Sequence, residues 1–140
     1  MQKVIIGIDP GKITGYAVWD PRDRVLVYSA SGPIHKIMGL VMFWGAGGPE
    51  KIMVVVEDAR KRSWFGNSGP ERWKGAGSIM RDCTIWEDFL TDNGIPFKMV
   101  APRKGGTKWP LSVFKKVTGV TGRTNEHERD AIALVFGYIN

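Results

Sequence analysis

Residues 4–20 read VIIGIDPGKITGYAVWD, two strand-like runs joined by a tight turn. Residues 3–8 are an almost unbroken β-branched run, which predicts a buried strand ending at Asp9. Pro10-Gly11 turns the chain, and residues 14–20 supply the antiparallel partner. Pro21-Arg22-Asp23 makes the next turn, and residues 24–30 alternate as a third strand.

Residues 34–44 are apolar at mixed spacing and are expected to be helical, stopped by Gly45-Ala46-Gly47-Gly48-Pro49. Residues 52–56 form a second wholly apolar strand, which ends at Glu57. A loop rich in Gly and Arg is expected from about residue 59 to 77. Ile79, Cys83, Trp86 and Leu90 then mark the apolar stripe of a helix closed by Asn93-Gly94. Residues 96–100 read as a fifth strand, and Pro110 suits the first turn of a short helix over residues 111–117. Asn125, with Glu128 three residues on, has the capping-box pattern of a last helix. The order β-β-β-α-β-α-β-α-α carries no repeat and no linker, so residues 1–140 are expected to form a single α/β domain.

Apolar residues make up 43% of the chain and charged ones 24%, the composition of globular material. One cysteine, Cys83, excludes a disulfide framework and suits a reducing compartment. The longest apolar stretch, residues 37–47, is well short of the ~20 residues that cross a bilayer, so no membrane partner is expected. No signal-peptide layout is present, and a cytoplasmic location is expected. The net charge of +6 is unevenly placed: residues 60–125 hold 13 Lys and Arg against 5 Asp and Glu. The remainder is slightly acidic. A basic half of this kind suits a polyanion, nucleic acid first, although a solvated surface also accounts for it.

Asp9 and Glu57 each end one of the two most apolar strands. If those strands are neighbours, both carboxylates emerge at one rim, where an acid is costly unless solvated or paired with a cation. A single acid there is explained by capping a turn; two together suggest more. His127 and Asp130 stand at i and i+3, on one face of the last helix. Acids near a helix N-terminus complement its dipole, which accounts for Glu126 and Glu128 but not for a histidine. A neutral imidazole beside carboxylates suits a divalent metal. The string His127-Glu128-Arg129-Asp130 lacks the second histidine of a zinc protease; His35 reads as a packed or capping residue and Cys83 as core. Three carboxylates and a histidine beside a basic half describe a phosphodiesterase that uses two Mg²⁺ or Mn²⁺ ions.

The sequence resembles the RuvC family of Holliday-junction resolvases, in the ribonuclease-H-like superfamily, over nearly the whole chain. The likeness rests on Ile6-Gly7-Ile8-Asp9-Pro10-Gly11 with Thr14-Gly15-Tyr16-Ala17-Val18, on Val54-Val55-Val56-Glu57, and on residues 127–134, HERDAIAL. It implies a ribonuclease-H-like five-stranded mixed sheet of order 3-2-1-4-5 flanked by helices. It implies Asp9, Glu57, His127 and Asp130 as catalytic metal ligands for two Mg²⁺ (or Mn²⁺) ions. Some members carry Asp where this chain has His127, a change that favours Mn²⁺.

The resemblance further implies a homodimer nicking branched DNA, above all a four-way junction, with one site per protomer. The helix over residues 77–91 is the candidate interface through Ile79, Met80, Trp86, Phe89 and Leu90, unless that stripe packs on the sheet. Arg60, Lys61, Arg62, Trp64, Phe65, Arg72, Trp73 and Lys74 interleave cations with aromatics, a pattern that holds phosphates while stacking on unpaired bases. Arg103, Lys104 and Lys108 are similar to the family's cations near the scissile phosphate, and Lys108 is placed to stabilise transition-state charge.

Three other readings remain. The first is a ribonuclease-H-like nuclease for RNA, and the second a non-catalytic junction-binding module. The third is an actin-like or sugar-kinase phosphate loop; that fold needs two domains around a nucleotide, so no nucleotide cofactor is expected.

Overall fold

The computed structural model describes residues 3–61, 70–102 and 109–138. Five strands, β1 (Val4–Asp9), β2 (Ile13–Asp20), β3 (Val25–Pro33), β4 (Ile52–Glu57) and β5 (Phe97–Val100), form one sheet of order β3-β2-β1-β4-β5. Among the described residues four α-helices accompany it: α1 (Ile34–Trp44), α2 (Pro70–Asp92), α3 (Leu111–Thr118) and α4 (Glu126–Val135). The first three strands run antiparallel, whereas β4 pairs in parallel with both β1 and β5. This is the mixed ribonuclease-H-like sheet that the sequence led one to expect.

Alternation along the strands sorts the core into two layers. Ile6 and Ile8 of β1, Tyr16 and Val18 of β2, and Val54 and Val56 of β4 pack with Ile37 and Val41 of α1 and Trp86 and Leu90 of α2. Ile5, Ala17, Trp19 and Val55 face the other way, onto Ala131, Ile132 and Val135 of α4 and Phe114 of α3. Each fully buried side chain of this size contributes about 1.5–3 kcal/mol relative to exposure. The Trp19 indole also donates to the Tyr138 carbonyl at 3.1 Å, tying the chain after α4 to β2.

The structure departs from the sequence expectations in four places. Strand β3 continues past Ala30 to Pro33, because Ser31 and Gly32 find partners in Gly15 and Thr14. The loop expected up to residue 77 ends earlier, since α2 begins at Pro70 and carries Arg72, Trp73 and Lys74 in its first turns. A proline needs no donor at a helix start. Trp86, Leu90 and Cys83 of the α2 stripe are fully buried in the chain's own core, so they are not an interface; Ile79, one turn earlier, is 42% exposed. His35 is exposed in the first turn of α1 rather than packed. Among the described residues no helix is long and apolar enough to cross a membrane.

Candidate metal centre and its surroundings

β1 and β4 are in register from Val4 opposite Ile52 to Ile8 opposite Val56. One further step along both strands brings Asp9 and Glu57 side by side at the same rim. Both belong to the odd-numbered set that faces α4, the face of Ile5 and Val55. The two acids are half-buried, as are His127 and Asp130.

Helix α4 reaches this rim because two glycines let it lie directly on the sheet. A β-carbon on Gly7 would sit 2.5 Å from the Ala131 carbonyl and 2.9 Å from Val135. A β-carbon on Gly15 would collide with the His127 carbonyl, and the same point is 3.3 Å from the β-carbon of Asp9. Gly15 is the register partner of Asp9, so the first turn of α4 is seated against the strand pair that carries the acid.

The start of α4 is held in place by side chains. Asn125 accepts the Glu128 amide at 2.9 Å, as the capping pattern predicts, and donates to the Ser31 hydroxyl at 2.6 Å. The Glu128 carboxylate does not turn back on Asn125; it lies 3.5 Å from the Ser29 hydroxyl. Strand β3 thus supplies two serines that anchor α4, a role invisible in their local sequence.

The donor set suits a hard divalent cation: three carboxylates and one imidazole, drawn from β1, β4 and α4. The backbone brings Asp9 and Glu57 to one rim and seats the α4 turn carrying His127 beside Asp9. Among the described residues, however, no three His, Cys, Asp or Glu side chains are gathered closely enough to hold an ion as they stand.

Beyond Glu57 lies an ion-pair network that no local pattern of residues announces. Asp58 is 1% exposed. Its two carboxylate oxygens accept from Arg60 Nε and Nη2, each at 2.8 Å. The same guanidinium reaches Glu87 at 3.1 Å and the Thr84 hydroxyl at 3.1 Å, both on α2. Hydrogen bonding from Arg60 holds the Asp58 carboxyl below the usual carboxylate range, and Asp58 in turn pushes the Arg60 guanidinium up. Arg60, expected to hold a phosphate, is therefore engaged by the protein itself. Lys61 donates to the Met99 carbonyl at 2.8 Å, across the end of β5. Cys83 is buried with its thiol 3.7 Å from the Glu57 carbonyl, and burial raises its pKa.

Arg62, Trp64, Phe65, Arg103, Lys104 and Lys108 lie outside the described residues, as do the side chains of Arg72, Trp73 and Lys74. At the end of the sheet away from the acids, a cavity of about 450 Å³ is bordered by Trp19, Arg24, Leu26, Val120 and Phe136. Among the described residues no expected site residue lines it.

No protein-family profile matches the chain, and no curated protein does. Among solved structures it is similar to Thermus thermophilus RuvC in complex with a Holliday-junction substrate, at a TM-score of 0.57 and 15% identity. That match covers 96% of this chain and 91% of the other. The shared property is the fold.

Proposed function

We propose that this chain is a metal-dependent, structure-selective DNA endonuclease that resolves four-way junctions and related branches by paired nicks. The observation that carries the reading is the convergence of Asp9 and Glu57 on one rim and one face of the sheet, with α4 seated against it. The likeness of the fold to a resolvase solved with a Holliday junction supports the same substrate class.

In this reading Asp9, Glu57, His127 and Asp130 hold two Mg²⁺ or Mn²⁺ ions. When bound, the ions supply activation of water and neutralisation of charge on the leaving 3′-oxygen. The chain's own residues do the rest. Gly15 and Gly7 let α4 approach, and Asn125 fixes its first turn. Lys108 neutralises charge developing on the phosphate. Arg62, Trp64, Phe65, Arg72, Trp73 and Lys74, with Lys61, Arg103 and Lys104, hold phosphates and stack on unpaired bases. Cutting two strands symmetrically with one site per chain calls for a homodimer.

The deciding experiment incubates purified protein with a labelled four-way junction in Mg²⁺ or Mn²⁺ and maps the nicks on all strands. Symmetric paired nicks that vanish in Asp9→Asn, while junction binding persists, are expected. Cleavage of matched RNA but not DNA branches, or wild-type cutting by Asp9→Asn, overturns the reading.

A further inference from the structure

We propose that Arg60 is a positioning residue for Glu57, acting through Asp58, and not a DNA contact. The proposal rests on the reading of Glu57 as a metal ligand.

The residue after Glu57 is fixed on two sides. Its amide donates to the Val100 carbonyl of β5 at 2.7 Å, and its carboxylate is clamped by Arg60. Arg60 in turn fastens this exit of β4 to α2 through Glu87 and Thr84. Nε, Nη1 and Nη2 each already have an acceptor. For a phosphate to take the Nε–Nη2 edge of the guanidinium, Asp58 would be left buried as an uncompensated charge, a strongly unfavourable exchange. What the clamp achieves is local: it immobilises the peptide from which the Glu57 side chain projects. Groups hydrogen-bonded directly to a metal ligand usually matter about 10–100-fold to metal affinity or activity, and for Arg60, one residue removed, the lower end of that range is expected.

Arg60→Lys is the clean test, because it keeps the charge and loses the planar fork. A lysine serves well as a point contact to phosphate but cannot grip both Asp58 oxygens. Three quantities are read: Mn²⁺ affinity by calorimetry, kcat and KM for junction nicking, and junction affinity without metal. Arg60→Lys is expected to weaken Mn²⁺ binding and lower kcat by about tenfold, with KM and metal-free junction affinity unchanged. Asp58→Asn is expected to do the same, and Glu87→Gln, at a half-buried position, to do so more mildly even if Asp58→Asn folds poorly.

Wild-type Mn²⁺ affinity and kcat in Arg60→Lys overturn the proposal. So does tighter metal-free junction binding in Asp58→Asn with a salt slope steeper by about 1, the mark of a freed phosphate contact. A wild-type protein that binds Mn²⁺ but nicks no branched DNA sinks the proposed function, while the Mn²⁺ titration still decides the clamp. A wild-type protein that binds no Mn²⁺ sinks the clamp itself.

Discussion

The carbonyl oxygen of His127 lies over Gly15 more closely than any β-carbon at that position permits. The candidate metal centre therefore depends on an absent side chain as much as on the four that would bind the ions. Gly15→Ala is expected to lift the first turn of α4 off β2 and to cost about 1–3 kcal/mol of stability, the usual range for overpacking. Junction cleavage at a temperature where the variant is still folded should fall further than that loss implies. A variant with unchanged urea midpoint and unchanged cleavage contradicts the packing described.

Asn125 caps α4 and also ties it to Ser31. Asn125→Ala should lower the unfolding free energy by about 1 kcal/mol, and Asn125→Ser should restore most of it, because serine caps nearly as well. Urea denaturation of the two variants checks this. A serine variant as weak as the alanine one would assign the stabilisation to the Ser31 contact instead.

The Asp58 carboxyl titrates below its ordinary range in the folded protein because Arg60 hydrogen-bonds its charged form. A lowered folded pKa gives stability that is fully present above the unfolded value, about 3.9, and is lost as pH falls through the folded value. Wild type should therefore be more stable than Asp58→Asn at pH 7, with the gap closing below about pH 4. Chemical denaturation of both proteins across pH 2.5–7 measures it. A gap independent of pH would place the effect in packing and not in the ion pair.

Replacing Trp64 and Phe65 together with Ala should weaken binding to a four-way junction more than to a plain duplex, since stacking on unpaired bases is worth about 1–3 kcal/mol per base. Competition binding at several salt concentrations reads this. Equal losses on both substrates would reduce the segment to electrostatics.

Much of this fold was legible because its signals are local. The apolar runs that stop at Asp9 and Glu57 announce strands with acids at their ends, and Pro33 and Gly45 bracket α1 where the sequence placed it. What escaped is set by distant partners. Nothing near Ser31 reveals that it pairs with Gly15 and receives a hydrogen bond from Asn125. The stripe through Ile79 has the right period, yet only Cys83, Trp86 and Leu90 reach the core, because burial depends on where the sheet lies as well as on spacing. Arg60 reads in the sequence as one of a run of phosphate-holding cations, and nothing local marks Asp58 as its partner. Their mutual engagement became visible only once α2 supplied Glu87 and Thr84 as further partners.

The sheet order also has a consequence in time. Strands β1, β2 and β3 are neighbours in sequence and in space, so their meander closes short loops and can form as soon as they are made. The central strand β1, however, waits for β4, which follows β3 and α1 in the chain. Until then its open edge, from Val4 to Ile8, carries no charge to discourage pairing with other chains. Pulse-labelled hydrogen exchange during refolding should accordingly protect the β1–β2 and β2–β3 amides before those of β4 and β5. Asp9 is in place early and Glu57 late, so the chemistry of the rim is among the last things the folding chain completes.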